Sequence, residues 1–366
     1  MHVLHVVGAR PNFMKAAPVI QALTSRQIGR QTLVHTGQHY DANMSDVFFE
    51  HLGMRAPDVN LEVGSGSHAR QTAEAMKRLE QTVLERAPDI VLVYGDVNST
   101  LAGALVCAKL LVPVGHVEAG LRSFDLTMPE EINRLLSDQI ADLLFTPSLD
   151  GNENLAREGV APEKVHFVGN VMIDTLVRLL PEASARWTSG GLGPIRPGDG
   201  EAFGVVTLHR PSNVDDQEAL GDLIHTLDRI GTDVPLVFPV HPRTRKMIVA
   251  GGHEPQSTGL RLTDPLGYLD FLALQSKATL VITDSAGVQE ESTYLGVPCL
   301  TLRKNTERPV TETVGTNTVV GQDLERLEAE VALILEGKAK SGGIPELWDG
   351  RAAERIAEII QNWGPS

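Results

Sequence analysis

Three carboxylates lie at positions where they could carry out proton transfer, two after apolar runs and one at a predicted helix start. Asp96 comes one residue after the run 90–94, and Glu118 directly after the run 113–117. Glu131 lies in the first turn of a helix expected to begin near residue 130. Carboxylates grouped at strand ends can act as general acids and bases. Each also has an ordinary structural use, as a helix cap, a partner of a buried cation or a partner of a helix dipole.

Two histidines occupy equivalent places in the second half of the chain. His209 follows the apolar run 203–207, and His241 follows the run 235–239. One histidine in such a place is usually a capping or packing residue, but two at equivalent positions favour a ligand-binding cleft. Their spacing differs from that of zinc ligands, so we expect no metal site.

A turn with the sequence TDSAGVQEE, residues 283–291, follows the apolar run 279–282. Its small residues predict a tight connection from a strand into a helix that begins near residue 286. Free N–H groups at such a helix start suit a phosphate, and the glutamates one turn later can accept hydrogen bonds from sugar hydroxyls. The segment therefore predicts a nucleotide-phosphate site; an ordinary turn with an acidic first helical turn is the alternative.

The loop after the first apolar run brings two cations to a predicted helix start. Gly8 permits a tight turn, and Pro11 fits the first helical turn. Arg10 and Lys15 would then flank the helix N-terminus, where they could meet a diphosphate, although a solvated basic pair is the alternative. The loop matches neither a Walker loop nor the G-x-G-x-x-G of dinucleotide-binding proteins, which argues against a dehydrogenase.

The elements that position these residues alternate between strand and helix, which predicts an α/β protein with parallel sheets covered by helices. Glycine and proline are concentrated in the loop 189–200, and the best break in the pattern lies between about 171 and 202. We predict a first domain at 1–172, a second at 173–348 and a terminal helix within 349–366 that packs on the first domain. Strands are predicted at 2–7, 31–36, 90–94, 113–117, 143–146, 165–168, 203–207, 235–239, 279–282 and 298–302. Helices are predicted to begin near 11, 71, 99 and 130, and to lie near 215–229, 243–250, 266–276, 286–294 and 350–363.

Composition limits the classes of partner. The chain has 366 residues, of which 42% are hydrophobic and 22% charged, enough for two buried cores. Its 32 basic and 47 acidic residues give a formal charge of −15, which argues against binding to nucleic acids or anionic membranes. Cys107 and Cys299 lie in apolar surroundings and are expected to be reduced, as in a cytoplasmic protein. No apolar run reaches the length of a transmembrane helix.

Eight short motifs occur in order along the chain: GARP at 8–11, GQH at 37–39, GD at 95–96, HVEAGLR at 116–122, PEEINR at 129–134, TLHR at 207–210, TDSAGVQEE at 283–291 and TERP at 306–309. Taken together, they resemble the motifs of the non-hydrolysing UDP-N-acetylglucosamine 2-epimerases over essentially the whole chain. The resemblance implies a glycosyltransferase-B-like fold with two Rossmann-like domains around a central cleft, a homodimer and no redox cofactor. It implies inversion of carbon 2 of UDP-N-acetylglucosamine to give UDP-N-acetylmannosamine, through elimination of UDP and a 2-acetamidoglucal intermediate.

The resemblance also assigns roles to residues. It implies that the acid–base groups are Asp96, Glu118 and Glu131, assisted by His209, with Lys15 and Arg10 near the leaving group. The expected nucleotide-binding residues are Ser285, Ala286 and Gly287 for phosphate, Glu291 for ribose, Phe271 for uracil, and Arg308 and His241 for further support of the substrate.

Some positions depart from the family pattern. Ala286 stands where many members have glycine, and it should fit if its φ is negative. Some bacterial members bind a second UDP-N-acetylglucosamine that activates them, but Asn43 and Val47 replace glutamines of that site, which argues against activation. The loop around these residues and Ala9 also resemble relatives that epimerise UDP-2,3-diacetamido uronic acids, so that substrate class stays open, and a glycosyltransferase of the same fold is a further alternative. The residues that match the activating site are Arg70, Gln71, Arg210 and His241.

Overall fold

The structure is a computed structural model that describes residues 1–38, 49, 51–198 and 200–364. The chain divides into two compact units: residues 1–176 with 346–366, and residues 177–345. The boundaries predicted from the sequence, at 172 and 348, lie a few residues from these limits. Each unit contains its own parallel sheet with helices, which confirms the predicted α/β class.

The first unit is built on a parallel sheet with seven strands in the described residues. The strand order is β3-β2-β1-β4-β5-β6-β7, so the order reverses between β1 and β4, where Val6 lies opposite Val93. The strands are β1 (His2–Val7), β2 (Arg30–His35), β3 (Val59–Asn60), β4 (Ile90–Tyr94), β5 (Val114–Val117), β6 (Leu143–Thr146) and β7 (Val165–Phe167). The helices are α1 (Arg10–Ser25), α2 (His68–Arg86), α3 (Asn98–Lys109), α4 (Pro129–Ile140), α5 (Leu149–Arg157) and α6 (Val171–Thr188), which continues into the second unit.

The second unit repeats this plan with six strands in the described residues. Its order, β10-β9-β8-β11-β12-β13, reverses between β8 and β11, where Thr207 lies opposite Thr283. The strands are β8 (Gly204–Thr207), β9 (Leu236–Pro239), β10 (Leu260–Thr263), β11 (Leu280–Thr283), β12 (Cys299–Thr301) and β13 (Asn317–Val319). The helices are α7 (Pro211–Val214), α8 (Gln217–Asp233), α9 (Pro242–Gly251), α10 (Tyr268–Gln275), α11 (Ala286–Leu295), α12 (Pro309–Thr313) and α13 (Leu324–Leu335).

Strand β4 and most of β11 are apolar because helices cover both faces of each sheet. Every side chain of β4 is fully buried, and so are those of Leu280, Val281 and Ile282 in β11. The polar groups next to these two strands lie where the strands end. Ligands of open α/β sheets bind at the carboxyl ends of the strands, at the point where the strand order reverses.

The last helix, α14 (Ala352–Asn362), belongs to the first unit. Its first N–H groups, those of Ala352 and Ala353, donate to the carboxylate of Asp174 in α6, at 3.1 and 2.7 Å. At its other end, Glu358 forms an ion pair of 3.4 Å with Arg26. Among the helices of the described ranges, none combines the length and the hydrophobicity that crossing a bilayer requires.

Candidate active site

The carboxyl ends of β1 and β4 are tied together by one side chain, that of Asn12. Its Oδ1 accepts hydrogen bonds from the N–H groups of Gly8 and Ala9, at 2.9 and 3.1 Å. Its Nδ2 donates to the carbonyl of Tyr94, at 2.7 Å. This bridge fixes the turn that leads into α1 against the turn that leads from β4 to Asp96. No role was predicted for Asn12.

Lys15 and Glu118 form a buried ion pair beside these turns. The distance from Lys15 Nζ to Glu118 Oε1 is 2.5 Å, and the two residues are 6% and 5% exposed. Glu118 has a φ of +76°, a left-handed conformation that costs a non-glycine residue energy. The carbonyl of Phe145 holds it there by accepting the N–H groups of both Glu118 and Ala119. The fold therefore holds this carboxylate in one strained position beside a cation.

Arg134 joins the other two predicted carboxylates. Its Nη2 lies 2.6 Å from Asp96 Oδ2, and its Nη1 lies 2.5 Å from Glu131 Oε2. Glu131 also accepts the N–H groups of Ser123 and Phe124 and the hydroxyl of Ser123. The Asp96 side chain keeps 22% of its surface exposed, whereas that of Glu131 keeps 1%. Asp96 is thus the more accessible of the two, while Glu131 orders the 123–124 backbone and the guanidinium.

His116, Asp138 and Arg122 form a buried charged network next to Gly95 and Gly120, and this network was not predicted. His116, fully buried in β5, has Nε2 2.7 Å from the carbonyl of Gly95 and Nδ1 2.7 Å from Asp138 Oδ1. Asp138 Oδ2 accepts from the N–H of Gly120 and lies 2.7 Å from Arg122. Burial opposes ionisation of Asp138, but the charges and hydrogen bonds of His116 and Arg122 hold its pKa below the ordinary value. The network fixes the backbone on both sides of Glu118.

In the second unit, His209 and Asp284 meet where β8 and β11 end. Asp284 is completely buried, and its Oδ1 lies 3.1 Å from Nδ1 of His209, whose side chain is 53% exposed. Asp284 Oδ2 accepts from the N–H groups of His209 and Arg210 and from the amide of Asn213, at 3.0, 2.9 and 3.0 Å. The histidine predicted from its strand-end position is therefore supported by a buried carboxylate.

The predicted phosphate turn lies next to this pair. Ser285 is the N-cap of α11, its side chain makes no capping hydrogen bond, and the first turn of the helix has no acidic residue. Ala286 begins the helix and does not have a positive φ, as its fit requires. A Cβ built on Gly287 would meet no atom within 4 Å. The start of α11 therefore offers backbone N–H groups beside open space, which suits a phosphate.

Residues expected to bind the nucleoside lie on α10 and α11. Glu291 in α11 is buried and accepts the hydroxyl hydrogen bond of Tyr268 in α10, at 2.9 Å. Phe271, one turn after Tyr268, is partly buried. The tyrosine was not singled out from the sequence, and only its position one turn before Phe271 could have indicated it.

Arg308 belongs to a buried cluster of alternating charge. Its Nε donates to Glu290 at 2.7 Å, and its Nη1 lies 3.0 Å from Glu307. Arg303 also pairs with Glu307, at 2.7 Å. Arg210 lies 3.8 Å from Glu307 and donates from Nε to the carbonyl of Asp284, at 3.1 Å. Arg308 and Arg210 are thus held in fixed orientations by acidic neighbours in the same unit.

The remaining predicted residues differ in how far they are buried. Arg10 is partly buried at the start of α1, and Arg70 is exposed on α2. Gln71 is buried; it donates to the carbonyls of Gln38 and Gly64 and accepts from the amide of Asn98. The other two positions of interest, Asn43 and Val47, lie outside the described residues.

His241 is exposed at the N-cap of α9, and its Nδ1 accepts from the N–H of Arg243, at 3.2 Å. This capping bond is the ordinary structural use of a histidine after a strand. It leaves Nε2 as the ring nitrogen available to another partner.

Two doubly wound units, each with polar residues at its strand-order reversal, define a two-domain protein of the glycosyltransferase-B-like class. The profile of the UDP-N-acetylglucosamine 2-epimerase family matches residues 21–361. The chain belongs to this family, and its enzyme class is therefore that of an isomerase.

Relatives match along nearly the full length. A UDP-N-acetylglucosamine 2-epimerase of Methanococcus maripaludis is 42% identical over 365 residues, covering 97% of each chain. A UDP-2,3-diacetamido-2,3-dideoxy-D-glucuronate 2-epimerase of Pseudomonas aeruginosa is 41% identical and covers 98% of this chain and 99% of its own. The crystal structure of the Methanocaldococcus jannaschii UDP-GlcNAc 2-epimerase in complex with UDP-GlcNAc and UDP has a TM-score of 0.88 at 39% identity, covering 99% of this chain and 100% of that one.

Proposed function

We propose that this protein reversibly inverts carbon 2 of UDP-N-acetylglucosamine to form UDP-N-acetylmannosamine. The observation that carries the proposal is the likeness, over 99% of the chain, to an epimerase crystallised with UDP-GlcNAc and UDP. The charged groups at the two strand-order reversals supply the acid–base and phosphate-binding chemistry that such a reaction needs.

The proposed reaction proceeds by elimination and re-addition. A base removes the proton from carbon 2, the bond from carbon 1 to the diphosphate breaks, and a double bond forms between the two carbons. The products of this elimination are UDP and 2-acetamidoglucal. Protonation of carbon 2 on the other face and return of UDP to carbon 1 complete the inversion. Since carbon 2 is a weak acid, the protein must supply a placed base and stabilise the leaving diphosphate.

The first unit supplies the proposed acid–base groups. Glu118, held by its strained backbone and Lys15, and Asp96, which is partly exposed, are the proposed proton-transfer residues. Glu131 acts with them through Arg134, which also binds Asp96. Lys15 stabilises negative charge on the leaving group or on Glu118.

The second unit supplies the proposed UDP site. The N–H groups at the start of α11, from Ser285 to Gly287, bind phosphate, and Glu291 accepts from ribose hydroxyls. Phe271 packs on uracil and Arg308 supports the nucleotide. His209 donates or accepts a proton at the diphosphate.

Incubation with UDP-N-acetylglucosamine in D₂O tests the reaction. We expect deuterium at carbon 2 of both sugar nucleotides and a mixture of the two epimers, measured by NMR. Absence of exchange with every UDP-N-acetylhexosamine tried would refute the proposal. Free N-acetylmannosamine together with UDP would instead identify a hydrolysing enzyme, and transfer to an acceptor without exchange a glycosyltransferase.

The role of Glu118 has its own test. Glu118→Gln keeps the shape of the side chain and an acceptor for Lys15 but removes the proton-transfer group, so we expect kcat to fall about 100-fold or more while calorimetry gives unchanged UDP affinity. Glu85→Gln, an exposed carboxylate on α2, is the matched control and should behave like the wild type. Wild-type turnover by Glu118→Gln would exclude the acid–base role.

A UDP-2,3-diacetamido uronic acid is the second candidate substrate. It is favoured by the 41% identity to the Pseudomonas aeruginosa enzyme over almost the same length. Comparison of kcat/KM for the two sugar nucleotides distinguishes the candidates, because both would exchange carbon 2. The homodimer and the cytoplasmic location expected from the sequence stay predictions.

A further inference from the structure

The pairing of His209 with Asp284 has a geometry that goes beyond capping a turn. The two residues follow adjacent strands at the strand-order reversal of the second unit. The side chain of Asp284 has no exposed surface, whereas that of His209 is 53% exposed. One end of the pair is therefore fixed in the protein interior and the other faces solvent.

The carboxylate is built to stay ionised. Burial opposes ionisation, but the hydrogen bond and charge of His209, the N–H of Arg210 and the amide of Asn213 outweigh it and hold the pKa of Asp284 below its ordinary value. An ionised carboxylate only accepts hydrogen bonds. Nδ1 of His209, 3.1 Å from Oδ1, must therefore carry the proton.

The two carboxylate oxygens carry unequal shares of these contacts. Oδ2 accepts the three hydrogen bonds of the turn, from His209 N–H, Arg210 N–H and the Asn213 amide. Oδ1 faces the imidazole and also accepts a longer hydrogen bond, of 3.2 Å, from the N–H of His209. Changing Oδ1 alone therefore removes the partner of the imidazole and the longer bond of the His209 N–H, while the three bonds to Oδ2 can stay.

We propose that Asp284 is a positioning residue for His209: it fixes the proton on Nδ1 and so leaves Nε2 to exchange a proton or to donate a hydrogen bond. This inference rests on the proposed function, in which His209 acts at the diphosphate. The exposed imidazole lies beside the start of α11, where that diphosphate is expected. A neutral imidazole held in this tautomer has its lone pair on Nε2, and an imidazolium has a proton there to give.

Asp284→Asn is the decisive variant. Its amide oxygen can replace Oδ2 and keep all three hydrogen bonds of the turn. Its NH₂ group then faces Nδ1 and donates to it, which moves the histidine proton to Nε2. A carboxylate-to-amide change of this kind disables a histidine by imposing the wrong tautomer.

Kinetics should separate positioning from folding. We expect kcat to fall about 100-fold or more in Asp284→Asn, with the dissociation constant for UDP within about twofold of the wild type. In a His209→Ala background the same change should cause no further loss, because the two residues act as a unit. Additive losses, or a weakened UDP affinity with unchanged kcat, would overturn the inference.

Asp228→Asn is the matched control. Asp228 also accepts backbone N–H groups in the second unit, those of Gln256 and Ser257, but it lies on α8 away from the strand-order reversal. It should keep wild-type kcat and KM. A similar loss of kcat in this control would assign the effect of Asp284→Asn to loss of a structural carboxylate and overturn the inference.

NMR can determine without substrate which ring nitrogen of His209 carries the proton. With ¹⁵N-labelled histidine, and His209→Gln to assign the signal, NMR should show a proton on Nδ1 in the wild type and none there in Asp284→Asn at the same pH. A wild-type ring protonated only on Nε2 would overturn the inference. This measurement holds whichever sugar is used, whereas failure of the wild type to exchange carbon 2 would refute only the proposed function.

Discussion

Gly95 sets the space around the Lys15–Glu118 pair. Its φ is +63°, and a Cβ built there would lie 2.8 Å from Lys15 Nζ and 3.6 Å from Glu118 Oε1. We expect Gly95→Ala to lower the free energy of unfolding by about 1–2 kcal/mol, the usual penalty for left-handed alanine. Because the methyl group also displaces the lysine, kcat should fall about tenfold or more. Urea unfolding and the carbon 2 exchange assay measure the two effects.

Gly159 provides a control for backbone strain alone. Its φ is +77°, and an added Cβ would meet no atom within 4 Å. Gly159→Ala should therefore lose a similar free energy of unfolding but keep wild-type turnover. Equal kcat in the two variants would contradict the view that Gly95 protects the position of the ammonium group.

Strand-end position was enough to predict the candidate residues but not their partners. Asp96, Glu118 and His209 could be selected because each follows a recognisable apolar run. Arg134 could not be matched with Asp96, since the two residues are 38 positions apart and only the packing of α4 brings them together. Asp284 was likewise read as part of a phosphate turn, because its bond to His209 spans 75 positions.

Among the elements, the buried central strands were predicted, whereas of the edge strands in the described residues only β7 was predicted, at 165–168. β4 and β11 are continuous apolar runs, as strands with both faces covered must be. β10 and β13 lie at an edge of their sheet, and β3 has only two residues at the edge of the other. Arg261 in β10 and Asn317 in β13 interrupt the apolar pattern, so neither segment was predicted. The unpredicted helix α6 contains Pro181, which does not end it.

A negative charge at the start of α11 should have opposite effects on stability and binding. We expect Ala286→Asp to raise the free energy of unfolding by about 0.3–1 kcal/mol, because an acidic first turn complements the helix dipole. The same charge repels a diphosphate, so UDP affinity should fall about tenfold or more. Chemical unfolding and calorimetry with UDP provide the two measurements.

The neutral variant Ala286→Asn and the uncharged ligand uridine are the controls. Ala286→Asn should bind UDP more tightly than Ala286→Asp does, and uridine should distinguish little between the two variants. A loss of affinity that is equal for uridine and UDP would mean that α11 does not act on the phosphates.

The attachment of α14 to α6 predicts a pH dependence of stability. Burial raises the pKa of Asp174 to about 6, although the N–H groups of Ala353 and Ala352 act in the opposite direction. In the unfolded chain the pKa of an aspartate is about 3.9. Between about pH 4 and 6 the folded state therefore binds the additional proton, and acidification through this window stabilises it, by on the order of 2 kcal/mol.

Asp174→Asn isolates this contribution. The stability of the wild type relative to the variant should increase from pH 7.5 to pH 4.5 in urea unfolding. Asp228→Asn should show a pH dependence of opposite sign. Burial raises the pKa of Asp228, but the hydrogen bonds from Ser257 and Gln256 outweigh burial and lower it. The stability that the Asp228 carboxylate contributes is therefore lost on acidification. A difference between wild type and Asp174→Asn that does not change with pH would show that Asp174 stays ionised.

At the scale of the molecule, two α/β units could be predicted from alternating patterns, but the substrate could not. Relatives named for two different sugar nucleotides match this chain at 42% and 41% identity over nearly its full length. Fold and overall identity therefore do not distinguish the sugars. The side chains that contact the sugar, rather than the fold, must determine which of the two sugar nucleotides is the substrate.

Activation by a second substrate molecule would be a property of the whole molecule. The hydrogen bonds of Gln71 argue against it. Both amide donors of Gln71 are used by the carbonyls of Gln38 and Gly64, and its oxygen accepts from Asn98, so little bonding capacity is left for a ligand. We expect UDP-N-acetylmannosamine alone to be converted without a lag and with hyperbolic saturation. Stopped-assay NMR from each direction measures this. A lag that traces of UDP-N-acetylglucosamine abolish, or sigmoidal saturation, would instead demonstrate a functioning activator site.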